Sequence, residues 1–193
     1  VQVAANFLNS VLDNDGKTID HSAGLTTGQG SNADLMDLID GLKSGSIETV
    51  IIHGVNPMYH VPAHVGLAEA FQKAKLIVYT GDRIDETGAY ANLVAPDHHQ
   101  MEGWGDLEAA EGVILIQQPT ISPLYNTRAF QDSLAAWTKA AGRDLGFSSW
   151  YDHWKQGVKS AYFGKTAKGR SYERWWIDVL QQGAIVLTDE NHS

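Results

Sequence analysis

The sequence predicts an α/β fold in which a mainly parallel sheet is flanked by helices in a Rossmann-like three-layer arrangement and followed by a helical C-terminal extension. The first observation is that short apolar runs at 49–53, 75–80 and 91–96 stop at Gly or Pro, as buried strands do. The second is that segments with apolar residues at helical spacing lie between these runs. Strands that alternate with helices indicate βαβ units, whose right-handed crossovers place the helices on the faces of the sheet.

The remaining elements follow from the same patterns and from end signals. Ser31 or Asn32 can cap the second helix and Gly45 can end it, Pro62 fits the first turn of the third helix, and Thr127 is expected to cap the fourth. The predicted helices span residues 1–12, 33–43, 62–74, 128–141, 150–163 and 172–180. The predicted strands span residues 49–53, 75–80, 91–96, 112–117 and 184–188, with a short extended piece at 17–20. The predicted loops are the glycine-rich 22–30 and the irregular, polar 97–111.

The composition changes toward the C-terminus. Residues 1–144 are predicted to form the α/β module, and residues 145–193 an aromatic-rich helical extension. Tryptophans four residues apart, such as Trp150 and Trp154, mark a buried helical face more often than a stacking surface. The chain starts at Val1 inside a predicted helix and shows no signal peptide, so we expect it to be a fragment of a larger protein.

Charge and composition exclude several classes of function. The net charge of -9 argues against a nucleic-acid surface, which needs a basic face. Cysteine is absent, which removes disulfides, thiolate metal sites, cysteine nucleophiles and iron–sulfur ligation by this segment. No apolar run approaches the length that spans a membrane, so direct membrane insertion is not expected.

Polar residues at the ends of two predicted strands are the main candidates for ligand binding. The first strand runs into Gly54-Val55-Asn56-Pro57, and ligands of parallel sheets bind at the carboxyl ends of the strands. Asp82 follows the second strand, where a carboxylate can accept hydrogen bonds from ribose hydroxyls or a purine edge. The acids Asp85 and Glu86 also suit the first turn of a helix, and for Asp82 both interpretations remain open.

The histidines suggest a metal site only if the fold brings them together. His60 and His64 have the i, i+4 helical spacing, but Pro62 lies between them. The pair His98-His99, beside Asp97, would need to converge with His53 or His60. Histidines in loops at a strand-end surface are the favoured interpretation.

Two further motifs are weak. Ser148-Ser149 has no obvious base beside it and no nucleophile-elbow motif, so a serine hydrolase is not favoured. Gly28-Gln29-Gly30 precedes a helix, where free N–H groups can bind an anion. It lacks the spacing of a dinucleotide fingerprint and the lysine of a P-loop, so a plain linker is favoured.

Taken together, the ordered motifs resemble a module of the molybdopterin oxidoreductase superfamily. These motifs are Gly54-Val55-Asn56-Pro57-Met58-Tyr59, Asp82 with Asp85-Glu86-Thr87, and Asn92-Leu93-Val94-Ala95-Pro96. The run from His99 through Glu102-Gly103-Trp104-Gly105 to Asp106, and the run from Gln118 to Tyr125, are similar to the molybdopterin-oxidoreductase-like part of the iron–sulfur subunit of alternative complex III, a bacterial quinol-oxidising complex. The resemblance covers nearly the whole chain, as an internal segment of a longer protein.

The resemblance implies a cofactor site but leaves its occupancy open. In the superfamily, this module holds part of a molybdopterin guanine dinucleotide. The implied contacts are Gly54, Asn56 and Pro57 near the pyrophosphate or ribose, Asp82 at the guanosine end, and Glu86 with Thr87 alongside. Asn92 replaces the superfamily's aspartate, and the resemblance to the alternative complex III subunit implies a retained scaffold without the cofactor. No catalytic residue, metal ligand or iron–sulfur cluster is expected in this segment.

The predicted function is that of a module in a respiratory electron-transfer complex that oxidises quinols, acting as a scaffold without its own redox centre. By resemblance, its partners are the rest of its own polypeptide and other subunits of a membrane-associated complex, on the periplasmic side of the bacterial cytoplasmic membrane. One alternative is a functional molybdopterin guanine dinucleotide-binding domain of a molybdenum oxidoreductase. A second is a free-standing small-molecule enzyme that uses Asp97, His98 and His99 as acid and base groups.

Overall fold

A computed structural model describes residues 2–19 and 30–187, and these form two three-stranded sheets and their helices. The described helices are α1 (Gln2–Val11), α2 (Asn32–Ser44), α3 (Pro57–His60), α4 (Leu67–Phe71), α5 (Phe130–Ala140), α6 (Trp150–Val158), α7 (Gly164–Thr166) and α8 (Tyr172–Gln182). The described strands are β1 (Thr49–Ile52), β2 (Leu76–Tyr79), β3 (Leu93–Val94), β4 (Gly105–Ala110), β5 (Val113–Gln117) and β6 (Ala184–Val186). The α/β class, the parallel sheet with flanking helices and the helical C-terminal part are therefore confirmed.

Contacts within the chain define two compact units. The parallel unit comprises Gly30–Trp104 and Gln118–Val158, and the antiparallel unit comprises the described parts of Val1–Gln29, Gly105–Gln117 and Lys159–Ser193. The sequence predicted one boundary between two domains, after residue 144, whereas each compact unit is made of several separate chain segments. The domain boundary at residue 144 stays a prediction. Residues 22–29 of the predicted loop 22–30, residue 20 of the predicted piece 17–20 and residue 188 of the predicted strand 184–188 lie outside the described residues.

The parallel unit contains the sheet β1–β2–β3, with all three strands parallel and Ile52 paired to Tyr79. Helix α2 begins where the Ser31 side chain accepts the N–H of Asp34, and it ends at Gly45, whose φ of 78° suits a left-handed cap. Helices α2 and α4 pack together on one face of the sheet. The core of this face consists of Ile39, Leu42, Val50, Ile52, Leu67, Ala70, Phe71, Ile77 and Tyr79.

The opposite face of the parallel sheet is partly open. The side chains of Ile51, Leu76 and Leu93 on this face are 45%, 39% and 49% exposed, and Val78 between them is buried. A parallel sheet is normally covered on both faces, because its strands are apolar on both sides. The exposed apolar row is therefore a surface that further protein could cover.

The predicted helix over 62–74 is wrong as a continuous element. The chain instead forms α3, a 3-10 turn at Ala63–Val65 and α4. Gly66, between the turn and α4, has φ of 80°, a left-handed conformation that interrupts helical hydrogen bonding. Pro57, rather than Pro62, occupies the first helical position after the strand-end loop.

The predicted cap of α5 is also wrong. Ala129 precedes the helix, and Asp97 supplies the missing acceptor because its Oδ1 accepts the Phe130 N–H at 2.8 Å. Thr127 instead forms a 2.6 Å hydrogen bond with His98 Nδ1. A residue distant in sequence thus provides the cap, which local patterns could not reveal.

The antiparallel unit corrects the interpretation of 97–117. The segment 112–117, predicted as a fourth strand of a mainly parallel sheet, is β5 and pairs antiparallel with both β4 and β6. Strand β4 lies in the segment predicted to be irregular, and Gly112, with φ of 74°, forms the turn between them. Helix α8 lies against β6 and buries Trp175 and Trp176.

Candidate functional site

A pocket of about 440 Å³ lies at the carboxyl ends of the parallel strands. We call it the strand-end pocket. It is lined by His53, Gly54, Val55, Asn56, His60, Tyr79, Thr80, Gly81, Asp82, Asp85, Asp97, His98, His99 and Gln100. These residues are Tyr79, the last residue of β2, and residues of the segments that follow β1, β2 and β3, which a parallel sheet brings to one edge.

Asn56 joins the loops that follow β1 and β2. Its Oδ1 accepts the N–H of Tyr59 at 3.3 Å, which caps α3, and the hydroxyl of Thr87 at 2.6 Å. Its Nδ2 donates to Glu86 Oε2 at 2.8 Å, and this bond lowers the pKa of the Glu86 carboxyl. Thr87 is fully buried and accepts the N–H of Met58 at 3.1 Å. Asn56, Glu86 and Thr87 therefore hold one wall of the pocket in a fixed shape.

A second network holds the loop after β2. The Tyr79 hydroxyl donates to Asp85 Oδ2 at 2.5 Å, and Asp85 Oδ1 accepts the N–H groups of Thr87 and Gly88 at 3.0 and 2.8 Å. Burial, with the bond to Asp85, raises the pKa of Tyr79 to about 12. Burial acts to raise the pKa of the Asp85 carboxyl. The hydrogen bonds from Tyr79, Gly88 and Thr87 act in the opposite direction and have the larger combined effect, so the pKa of Asp85 is lowered. A Cβ on Gly81 would lie 2.3 Å from the Tyr79 ring, so this position requires glycine.

Asp82 is the carboxylate that remains accessible beside the pocket. Arg83 Nε and Nη2 donate to its two oxygens at 3.0 and 2.8 Å, and this pairing lowers the pKa of the Asp82 carboxyl. Each oxygen keeps a further lone-pair direction, so Asp82 can still accept a hydrogen bond from a ligand.

His53 follows β1 and contacts residues that follow the two other strands. Its Nδ1 lies 2.9 Å from Thr80 Oγ1 and 3.5 Å from Asp97 Oδ2. Its ring stacks on Phe130 with centroids 3.9 Å apart and an interplanar angle of 8°. The ring is therefore held in both position and plane.

The other histidines of the pocket are bonded to the protein through Nδ1. His60 Nδ1 donates to the Asn56 carbonyl at 2.7 Å, and His99 Nδ1 accepts the Met101 N–H at 3.2 Å. Within residues 2–19 and 30–187, no group of three or more His, Asp or Glu side chains is placed to hold a metal ion. Asp97, His98 and His99 do line the same pocket, so the alternative that uses them as acid and base groups stays a prediction.

A second cavity of about 420 Å³ adjoins the pocket, with which it shares Asp82, Asp97 and His99. Its wall is fixed by Glu102, which is buried and accepts the N–H groups of Leu124 and His99, both at 3.0 Å. These two bonds lower the pKa of the Glu102 carboxyl. The runs 99–106 and 118–125, which carry the narrower family resemblance, thus meet at this buried carboxylate.

The predicted site residues occupy two kinds of position. Gly54, Asn56 and Asp82 line the pocket, whereas Glu86 and Thr87 lie behind Asn56 and Pro57 starts α3. Sequence reasoning did not assign His53 and Thr80 to the cofactor site. Both are polar residues that directly follow a buried strand, and that signal could have identified them. The roles of all these residues in ligand binding stay predictions.

The charges around the pocket favour a ligand that donates hydrogen bonds. Three carboxylates, those of Asp82, Asp85 and Asp97, line it, and none of its described lining residues is a lysine or arginine. Carboxylates only accept hydrogen bonds when ionised, so N–H and O–H groups are complementary to them. Arg83 offsets the charge of Asp82, but the carboxylates of Asp85 and Asp97 would repel an anionic group.

The remaining weak motifs show structural roles where they are described. Ser149 Oγ accepts the N–H of Asp152 at 3.4 Å, near the start of α6. Gly28 and Gln29 lie outside the described residues. No helix among the described residues is long and apolar enough to cross a membrane.

Comparison with known proteins shows similarity of fold but not of sequence. No protein-family model and no curated protein matches the chain. Among solved structures, the chain is similar to acetylene hydratase from Pelobacter acetylenicus, with a TM-score of 0.58 and 13% sequence identity. The match covers 78% of this chain and 20% of acetylene hydratase, so the chain spans about a fifth of the length of that enzyme.

Proposed function

We propose that this chain is a cofactor-binding module of a larger molybdopterin-oxidoreductase-like protein, and that the strand-end pocket holds the nucleoside end of a molybdopterin guanine dinucleotide. The observation that carries the proposal is that Gly54, Asn56 and Asp82, supplied by separate motifs, line one pocket at the carboxyl ends of parallel strands. Acetylene hydratase, to which the chain is similar in fold, is a tungsten enzyme of the molybdopterin oxidoreductase family.

The lining residues fit a nucleoside. Guanine and ribose carry N–H and O–H donors, for which Asp82 offers carboxylate acceptors. Gly54 has φ of 67°, and no atom lies within 4 Å of the place where its Cβ would be, so a ligand can approach the backbone closely.

The same residues do not fit the diphosphate of the cofactor. Arg83 pairs with Asp82 and offsets its charge. The carboxylates of Asp85 and Asp97 have no lysine or arginine beside them in the described lining, and they would repel the diphosphate. In this proposal the diphosphate and the pterin therefore lie outside the strand-end pocket. When bound, the cofactor and its metal supply the redox chemistry, and this chain contributes binding and orientation without a catalytic residue of its own.

Calorimetry with guanosine tests this proposal. We expect guanosine to bind the 193-residue chain, and Asp82→Asn to weaken binding about 10-fold or more, because a hydrogen bond to a charged group contributes roughly 1.5–3 kcal/mol. Asp37→Asn is the matched control, since Asp37 is an exposed helical acid that does not line the pocket. Guanosine diphosphate should bind no more tightly than guanosine. Guanosine affinity that is unchanged in Asp82→Asn, or much tighter binding of the diphosphate, would contradict the proposal.

A second candidate function is supported by the open face of the parallel sheet. In this candidate the module has lost its cofactor and serves as a scaffold in a quinol-oxidising electron-transfer complex on the periplasmic side of the membrane. The exposed Ile51, Leu76 and Leu93 would pack against the neighbouring iron–sulfur domain or a partner subunit.

Metal and pterin analysis of the full-length protein purified from its native membranes separates the two candidates. Molybdenum or tungsten together with an extractable pterin, each near one equivalent, supports the cofactor-binding module. Their absence from a protein that purifies within an intact quinol-oxidising complex supports the scaffold.

A further inference from the structure

His53 is a pocket residue whose hydrogen-bonding state follows from its neighbours. The Thr80 hydroxyl lies 3.2 Å from the Ile52 carbonyl oxygen, which can only accept, so the hydroxyl proton points there. The Thr80 oxygen is then left to accept a proton from His53 Nδ1 at 2.9 Å. The carboxylate of Asp97, 3.5 Å from the same nitrogen, also favours a proton on Nδ1. In the neutral ring, the other nitrogen, Nε2, is therefore an acceptor.

The surroundings of His53 hold this acceptor in place. Asp97 Oδ1 accepts the N–H groups of His98 and Phe130 at 2.7 and 2.8 Å, so the carboxylate beside His53 also fixes the ring on which His53 stacks. Thr80 is only 2% exposed, whereas the His53 side chain is 40% exposed. In the parts of the chain that the structure describes, Nε2 has no hydrogen-bond partner. A pre-oriented acceptor is thus available at the pocket.

We propose that His53 is a specificity-determining residue of the strand-end pocket, which accepts a hydrogen bond through Nε2 from an N–H or O–H group of the ligand. The proposal rests on the proposed function for its choice of guanosine as a probe, but the orientation of His53 does not depend on that choice.

Nitrogen NMR of the histidine-labelled chain tests the first part of the proposal without a ligand. At neutral pH we expect the His53 signals to show a proton on Nδ1 and a lone pair on Nε2. Thr80→Val removes the hydroxyl and should shift the ring toward the other tautomer, whereas Thr80→Ser keeps the hydroxyl and should not. A proton on Nε2 in the unaltered chain would overturn the proposal.

Guanosine binding tests the second part. His53→Asn retains an amide near the position of Nδ1 but has no group at Nε2, and we expect it to bind about 3- to 10-fold more weakly, the usual effect of one lost neutral hydrogen bond. His64→Asn is the control, because His64 is exposed and does not line the pocket.

The outcomes separate this proposal from the proposed function. If guanosine binds equally to the unaltered chain and to His53→Asn, the role of His53 is overturned and the proposed function stands. If guanosine binds neither, the proposed function is overturned, and the NMR result alone decides whether His53 presents an acceptor.

Discussion

The two sheets of this protein are built from similar apolar strands but place their polar residues differently. In the parallel sheet, the central strand β2 buries Ile77, Val78 and Tyr79 in succession, whereas the neighbouring β1 alternates between exposed and buried residues. In the antiparallel sheet, the side chains of β5 are buried and exposed in turn: Ile114 is 1% exposed and the next residue, Leu115, is 42% exposed. Continuous burial is typical of strands that are covered on both sides. Alternating burial is typical of strands that have one face in contact with solvent.

The direction of the strands decides where a site can form. Parallel strands deliver all their carboxyl ends to one edge, so His53, Asp82 and Asp97, which follow β1, β2 and β3, line the same pocket. Strands β4 and β5 run in opposite directions, so the residues that follow them lie at opposite edges of the sheet. The difference teaches that strand direction, more than strand composition, gathers the candidate site residues of this protein.

The largest expected effect concerns the packing of the antiparallel unit. Trp175 is 1% exposed, contacts the rings of Phe163 and Tyr172, and donates to Thr166 Oγ1 at 2.9 Å. Trp175→Ala should lower the free energy of unfolding by about 3–5 kcal/mol, because it leaves a large cavity. Urea denaturation measures the change. Ile177→Ala, at a half-exposed position of the same helix, should cost less than about 1 kcal/mol. Equal costs for the two variants would show that the tryptophan cluster does not stabilise this unit.

A glycine in each unit offers a matched pair for the second effect. Gly81→Ala would force the Tyr79 ring away from Asp85, whereas Gly105→Ala in β4 meets no atom within 4 Å. We expect the first to cost about 1–3 kcal/mol and the second much less. Ultraviolet titration adds a specific readout, because the pKa of Tyr79, raised to about 12 by burial and by the bond to Asp85, should fall toward its ordinary value only in Gly81→Ala. If both variants behave alike, the Tyr79–Asp85 contact does not hold the strand-end loop.

The smallest effect is a dependence of stability on acid pH that belongs to the parallel unit. The pKa of the Asp85 carboxyl is lower in the folded chain than the ordinary value of about 4. Its contribution to stability is therefore fully present above about pH 4 and is lost as the pH falls through the folded-state value. The loss of stability between pH 5 and pH 3, which we call the acid limb, should be smaller in Asp85→Asn. Urea midpoints at pH 3, 5 and 7 would measure it. Because the pKa values of Asp82 and Glu86 are lowered too, the limb should become shallower without disappearing, and an unchanged slope would contradict the role of Asp85.

Local signals predicted the elements that depend on local interactions. The Ser31 cap and the left-handed Gly45 define α2, and the apolar runs of β1 and β2 form strands within a residue of their predicted ends. Predictions failed where a residue distant in sequence, or the backbone angle of one residue, determines where a helix begins or ends. Asp97 replaces Thr127 as the partner of α5, and Gly66 breaks the helix predicted over 62–74.

The sequence by itself determined the α/β class of this protein and the placement of Gly54, Asn56 and Asp82 at strand ends, because apolar periodicity and turn residues act over a few positions. Only the tertiary structure decided that the Asn56 side chain forms its hydrogen bonds with Thr87 and Glu86. It also decided that His53 lies beside Thr80 and Asp97 and presents Nε2 as an acceptor. The reason is physical: hydrogen bonds between loops join residues about 30 positions apart, and their partners are set by the pairing of the strands that carry them.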